Sequence, residues 1–373
     1  MMRDDLISDL HASGLRGVLA ITGGGSGAIP RLLTTPGASA TVLEAIVPYS
    51  EASLADWLGR TPERACDPAA ARALAMRSYE RAAALDPEGD PRRRFGLGGT
   101  ASLASTRPKR GEHRAHLVVQ TAETTLQVSL RFEKGRRSRA EEEEAIAHAA
   151  IAALADAAGV HELDLSRTPS GIEANVERAR ATREETELLL GERTRITLND
   201  APETGEVCLL PGSFNPPHAG HRRIAAVAAE RTGRPVVHEL SITNVDKSPL
   251  DFLTQHERVA ALEGKRVWLT RTPTFAEKAE LAPGAVFAVG ADTLERLAAP
   301  RYYADESERE ASYRRFAELG CCFLVFGREE GGRFVGLKSL TLPATLRSLC
   351  DGVSEAEFRV DASSTELRDQ LVD

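Results

Sequence analysis

The chain has 373 residues, 42% of them hydrophobic and 27% charged, which suits two or three globular domains. A formal net charge of −8 argues against broad contact with nucleic acid, and no run approaches the ~18–20 apolar residues of a membrane span. Residues 1–6 lack the apolar stretch of a signal peptide. Cys66, Cys208, Cys321, Cys322 and Cys350 show neither metal-ligand nor disulfide-framework spacing. A cytoplasmic chain with reduced thiols is expected, acting on small molecules rather than on nucleic acid or membrane.

Residues 17–22 predict a strand, followed by the small-residue loop of Gly23, Gly24, Gly25, Ser26 and Gly27 and a short helix over 28–33. Such a strand, loop and helix can cradle a phosphate, with Thr22, Gly23 and Gly24 as the candidate contacts. The pattern of Gly23, Gly25 and Ala28, with Glu44 beyond, formally fits a dinucleotide fingerprint; the alternative is a tight turn that needs small residues. No Lys-Ser/Thr follows the glycines, so this is not a P-loop.

Thr22-Gly23-Gly24, then Pro36-Gly37-Ala38-Ser39, then Tyr49-Ser50 resemble the C-terminal domain of CinA-type proteins, the nicotinamide-nucleotide amidases. The resemblance implies an α/β domain over residues 1–160, with Ser39 as nucleophile and Tyr49 as its partner. It also implies an arginine late in the domain, for which Arg136, Arg137 and Arg139 are candidates. Ser53 and Leu54 stand where that family has a lysine, which leaves Ser39 without an evident activator. The rival expectation is a domain that only senses a nucleotide or dimerises.

Further along, Asp67 and Pro68 open an alanine-rich helix to residue 84, and residues 116–119 and 126–132 read as paired strands. Ser138 and Glu141 form a capping box for a helix that turns Ile146, Ile151 and Leu154 inward and stops at Gly159. Glu141, Glu142, Glu143 and Glu144 read as its solvated first turn. Residues 161–205 read as a polar connector with one helix over 172–190.

The third region, 206–373, alternates strands and helices: strands near 207–210, 236–242, 266–270, 285–289 and 321–326, a helix entered at Pro216 and Pro217 and stopped at Gly233, and helices near 254–262 and 292–297. That alternation predicts a parallel sheet with ligands at the strands' carboxyl ends. Gly212, Ser213, Phe214, Asn215, His218 and His221 follow the first strand and enter the first helix. Histidines three apart at a helix N-terminus share an anion-facing turn. Lys247 follows the second strand, and Gly290 and Asp292 end a later one. Ser363, Ser364, Thr365 and Arg368 sit on a capping-box sequence that would aim hydroxyls and a guanidinium at phosphates.

The stretch 212–221 resembles the HxGH signature of the nucleotidylyltransferase superfamily, and Ser363-Ser364-Thr365 with Arg368 resembles the SSTxxR motif of nicotinamide and nicotinate mononucleotide adenylyltransferases. The whole chain is thus expected to be α/β, a Rossmann-like nucleotidylyltransferase domain with a parallel sheet preceded by a CinA-like α/β domain. The resemblance implies adenylyl transfer from ATP with Mg²⁺, His218, His221, Lys247 and Arg368 handling the phosphates. It implies Gly212, Ser213, Phe214, Asn215, Gly290, Asp292, Ser363, Ser364 and Thr365 around the nucleotide. No protein-bound metal site is expected, since solvated Mg²⁺ needs few protein ligands. The alternative is a cytidylyltransferase acting on a small phosphorylated alcohol. A homo-oligomer is compatible with either.

Overall fold

Why the first half closes into a sheet is visible in where its small residues lie. The computed structural model describes residues 4–106, 110–164, 168–203, 206–245, 247–331 and 333–358. It divides into two compact units, one of Met1–Leu190 with Asp246–His256, the other of Gly191–Val245 with Glu257–Asp373.

In the first unit the elements are α1 (Asp4–Ala12), β1 (Arg16–Thr22), α2 (Ala28–Thr34), β2 (Val42–Ile46), α3 (Glu51–Leu58), α4 (Pro68–Leu85), β3 (Arg94–Ser102), β4 (His113–Thr121), β5 (Thr124–Phe132), α5 (Arg139–Ala157), β6 (Ile172–Arg180) and α6 (Arg183–Leu190). The six strands run in the order β2-β1-β3-β4-β5-β6, parallel across β2-β1-β3 and antiparallel from β3 to β6. One face buries Leu19, Ile21, Leu97, Leu117 and Val128 against Ile146, Ala150 and Leu154 of α5. The other face takes α4. A Cβ on Gly96 would lie 2.1 Å from the Ala75 carbonyl oxygen, and one on Gly98 would lie 2.3 Å from that of Ala71. Glycine in β3 therefore lets the alanine-rich helix lie directly on the strand.

Residues 172–180 form strand β6, not the start of a helix. The charged residues there had suggested a helix surface, but Ile172, Ala174 and Val176 alternate, and the segment pairs with β5 at all nine positions. The following α6 also belongs to the first unit, so 161–205 is not a connector: its first part completes one sheet and its last part begins the other. The first unit is moreover completed by Asp246–His256, from deep inside the second region. There Phe252 is fully buried with Met76, Tyr79, Ala179 and Leu189, a burial worth roughly 1.5–3 kcal/mol. Its N–H donates to Thr125 Oγ1 at 2.9 Å, and Ser248 Oγ donates to Glu80 at 2.6 Å.

In the second unit, β7 (Arg195–Leu198), β8 (Cys208–Pro211), α7 (Ala219–Thr232), β9 (Val236–Ser241), α8 (Phe252–Ala260, begun in the first unit), β10 (Val267–Thr270), α9 (Phe275–Leu281), β11 (Val286–Gly290), α10 (Ala291–Ala298), α11 (Glu306–Glu318) and β12 (Cys322–Phe326) follow in order. A hairpin of β13 (Arg328–Glu330) and β14 (Arg333–Val335) precedes α12 (Ala344–Arg347) and β15 (Cys350–Gly352). The seven-stranded sheet has the order β15-β12-β11-β8-β9-β10-β7 and is parallel except for β7, which pairs antiparallel with β10. Its strands β8, β10, β11 and β12 are apolar runs, as strands covered on both faces require. Phe287, Phe323 and Phe316 pack together beside them, with ring centroids 5.4 and 5.3 Å apart in successive pairs.

Candidate functional site

Strand order fixes where ligands can enter the second sheet. From β8 the chain runs outward one way through β9 and β10, then returns to β8's other side with β11, β12 and β15. The crevice beyond the carboxyl ends of β8 and β11 is therefore a topological switch point, the position where open α/β sheets bind ligands. The residues that end those two strands are Pro211 and Gly290. The loop carrying Gly212, Ser213, Phe214, Asn215 and His218 leaves one, and the turn carrying Asp292 leaves the other.

The β8 loop is shaped by Phe214, which takes a left-handed φ of 46° and turns its ring into the protein, 1% exposed. That ring lies under Gly212, where a Cβ would come within 2.8 Å of it. Gly212 is thus required by close approach. Its N–H donates to the Glu239 carbonyl at 3.0 Å, tying the loop to β9. Ser213 and Asn215 remain exposed at the mouth.

His218 is the N-cap of α7, not a residue within it, and His221 is the third residue of the helix. The two rings replace the usual Ser and Glu of a capping box. The His218 N–H donates to Nδ1 of His221 at 3.2 Å, and the Gly220 N–H donates to Nδ1 of His218 at 3.1 Å. A ring nitrogen that accepts a hydrogen bond carries no proton, so each neutral imidazole holds its hydrogen on Nε2. The rings lie with centroids 3.8 Å apart. Phe214 packs edge-on against His221 at 5.1 Å and tilts against buried His238 at 5.4 Å.

Burial pushes the His221 imidazole down to about 4, with the neighbouring His218 and His238 adding to the effect. His238 is also held at about 4, by burial and then by Lys265. His218 is lowered by burial and by Arg222. Near neutral pH the pair is consequently two neutral imidazoles with preset tautomers, at the positive end of a 14-residue helix. Such donors can stabilise charge that grows on phosphate oxygens.

Asp292 lies in the first turn of α10 and pairs with Arg296 at 3.2 Å. Its Oδ1 folds back over Gly290, where an added Cβ would sit 2.6 Å away. Glu239 in β9 is buried and its carboxylate is taken: Lys278 Nζ donates to it at 2.8 Å and Thr270 Oγ1 also donates. Among the described residues no cluster of three or more His, Cys, Asp and Glu is placed to hold a metal.

Lys247 is exposed and belongs to the segment that packs into the first unit. Ser363, Ser364, Thr365 and Arg368 lie outside the described residues. The chain leading to them leaves β15 and is bound to α7. Arg231 pairs with Glu357 at 2.8 Å, and Arg223 donates to the Glu357 carbonyl at 3.0 Å. Ser354 and Arg231 hold the Glu357 carboxyl down at about 2.

In the first unit, a cavity of about 450 Å³ opens beyond β1, walled by Gly23, Gly24, Val47, Tyr49, Arg139 and Glu143 among others. Of the three candidate arginines, Arg139 is the one at Tyr49: its Nη2 donates to Tyr49 Oη at 3.3 Å and to the Gly23 carbonyl at 3.2 Å. Arg136 instead pairs with Glu133, and Arg137 is held by the Ser170 and Gly171 carbonyls. Ser39 lies exposed on a 3₁₀ turn after Gly37 and is not among the residues that wall this cavity.

The glutamate run at the start of α5 is not a solvated face. Glu142 is fully buried, accepting from the Ala104 N–H at 2.7 Å and paired with His113 at 2.8 Å. Glu143 fills the glycine loop: it accepts from the Gly25 N–H at 2.6 Å, Ser26 Oγ at 2.9 Å and the Gly27 N–H at 3.1 Å. Three donors that a bound phosphate would need are thus taken by the protein's own carboxylate. Glu44, the acid of the formal dinucleotide pattern, is paired with Arg81 at 2.8 Å. No signal near residue 143 announces its role, because its partners lie more than 100 residues earlier.

Among the described residues no helix is long and apolar enough to cross a membrane. The chain is similar to a solved structure of the competence/damage inducible protein CihA from Agrobacterium tumefaciens, with 20% identity, 42% of this chain and 94% of that chain covered, and a TM-score of 0.33. No curated protein matches. Residues 209–370 match the cytidylyltransferase-like family, a span that holds the β8 loop, both histidines and the Asp292 turn. The C-terminal part of the chain therefore carries a cytidylyltransferase-like nucleotidyltransferase domain.

Proposed function

We propose that this domain transfers AMP from ATP to the phosphate of a mononucleotide such as nicotinate or nicotinamide mononucleotide, with release of pyrophosphate. The observation that carries the reading is the reciprocal capping of His218 and His221, which holds two neutral imidazoles with their protons on Nε2 at the N-terminus of α7, the helix that follows β8. An acceptor phosphate oxygen forms a bond to the α-phosphorus of ATP, the bond to the bridging oxygen breaks, and pyrophosphate departs with the electron pair. Such transfer rests on positioning and on neutralising charge, not on a protein nucleophile. Mg²⁺ arrives with ATP as part of the substrate. In this reading Lys247 and Arg368 meet the leaving pyrophosphate. Ser363, Ser364, Thr365 and Asp292 meet the nucleotide.

The cytidylyltransferase-like description of the matched family favours a second reading, cytidylyl transfer to a small phosphorylated alcohol. Pyrophosphate release scored for four nucleoside triphosphates against a panel of phosphorylated acceptors separates the two. Turnover with ATP and a pyridine mononucleotide supports the first; turnover confined to CTP and an alcohol phosphate replaces it.

For the first unit the proposal is deamidation of nicotinamide mononucleotide, which would supply the acceptor to the second. The Tyr49–Arg139 contact at the cavity supports it. The exposed position of Ser39 and its want of a lysine favour instead a domain that senses a nucleotide or holds a homo-oligomer together. Ammonia release by wild type, Ser39→Ala and Arg139→Ala decides: loss in both variants supports the amidase, whereas no release from wild type rejects it.

A further inference from the structure

We infer that Glu357 is a positioning residue for nucleotidyl transfer: held against α7, it sets where the chain enters residues 359–373. The inference rests on the reading given above, in which Ser363, Ser364, Thr365 and Arg368 meet the nucleotide and its pyrophosphate.

The path of residues 351–358 is what points there. Arg231, in the last turn of α7, holds Asp351 at 2.5 Å and Glu357 at 2.8 Å. Arg223, near the start of the same helix, donates to the Glu357 carbonyl at 3.0 Å. The segment therefore runs back along α7 towards the turn that carries His218 and His221. Arg223 itself stands just past His221, roughly 3 Å further along the axis at the ~1.5 Å rise of a helix.

A second mark lies on the sheet. Phe358 is buried and meets Phe326 edge-on, with ring centroids 5.0 Å apart. Phe326 ends β12 and is the register partner of Gly290, which ends β11. Phe358 thus stands at the carboxyl ends of these strands, the side on which such sheets bind ligands.

One carboxylate closes this turn and ties it to the helix. The Ser354 N–H and Oγ donate to Glu357 at 3.1 and 2.6 Å, while the Glu357 and Phe358 N–H groups donate to the Ser354 carbonyl at 3.1 and 3.0 Å. The Val353 N–H donates to the Val325 carbonyl of β12 at 2.9 Å. The Arg231 and Glu357 side chains are 34% and 40% exposed, and ion pairs so exposed add little to stability. What the clasp supplies is placement, which a transfer that depends on positioning requires.

The test uses the full chain, with Glu357→Lys and the exchanged pair Arg231→Glu/Glu357→Lys. Pyrophosphate release is followed with the triphosphate and acceptor that wild type turns over. Glu357→Lys should raise KM for the triphosphate ~10-fold or more, the scale of a misplaced binding group, and leave KM for the acceptor unchanged. Its melting temperature should fall by no more than ~4 °C, as for loss of an exposed ion pair in a unit of this size. The exchanged pair should recover most of the lost kcat/KM. A triphosphate KM that stays at the wild-type value overturns the inference and leaves the nucleotidyl reading standing. A rise shared equally by both KM values, or one that the exchanged pair leaves in place, marks a merely structural role and overturns it too. Wild type that releases no pyrophosphate with any of the four triphosphates overturns the reading and the inference with it.

Discussion

Two loops of this chain begin alike and end differently. Each follows a buried parallel strand, each depends on glycine, and each leads into a helix. After β1 the Gly25 and Gly27 N–H groups converge on Glu143, so the anion that suits them is built in. After β8 the polar groups of the corresponding turn cap one another instead: two imidazoles accept backbone N–H bonds at Nδ1 and so keep their protons on Nε2. A glycine-rich loop after a strand is thus a scaffold for negative charge in general. Whether it serves a ligand depends on whether a distant side chain has claimed it first.

The most damaging way to break this contrast is His221→Ala. Turnover in pyrophosphate release should fall ~10²–10³-fold, the loss typical of one oxyanion-type donor, with a smaller change in nucleotide affinity. Unchanged turnover would remove the histidine pair from the chemistry.

Glu143→Ala attacks the other loop. It strands three donors and should cost ~1–3 kcal/mol, seen as a lower melting temperature. Tens of millimolar phosphate or sulfate should then restore part of the loss in the variant and none in wild type. If the anion helps both equally, the loop is not closed by Glu143 in the way described.

Acid separates the units more gently. His221 and His238 in the second and His116 in the first are held at about 4 against an ordinary 6.5. Between those values the unfolded chain binds more protons than the folded one. Stability should therefore fall as pH drops from 6.5 towards 4, by up to ~1.4 kcal/mol per pH unit for each histidine, and show no slope from these groups above 6.5. Denaturant unfolding across this range, with His116→Gln and His238→Gln, assigns the slope to its unit.

The smallest effect should come from Arg136→Ala. Its exposed pair with Glu133 is worth ~0–1 kcal/mol, and ammonia release, if wild type shows any, should not change. The same measurement on Arg139→Ala provides the contrast.

Much of this was legible from local pattern. Strand β1 with its loop, the proline-led α4, the capped α5 and the run from β8 into α7 all carry signals within a dozen residues. The histidines' position at a helix entry was readable, but His218 proved to be the cap itself, because Pro216 and Pro217 precede the helix and do not begin it. What stayed hidden depended on distance in sequence. Nothing around Glu143 says that residues 25–27 need it. The charges of β6 mimic a helix surface until β5 is there to pair with it. Phe252 stands just before a predicted helix, and only the folded chain shows which core receives it.

That last residue governs the order in which the molecule can be made. The first unit is not continuous in sequence, because Phe252 and the rest of Asp246–His256 complete a core begun by Met76 and Tyr79. On a ribosome, its N-terminal 190 residues emerge long before this plug. Strands β7, β8 and β9 must also be synthesised before the first unit can close. At ~5–20 residues per second the wait is several seconds, during which a hydrophobic pocket stands open to chaperones. A chain cut at residue 206 inherits the opposite fault: it bares the plug and lacks edge strand β7, so the smallest separable pieces of this protein are not the ones its motifs outline.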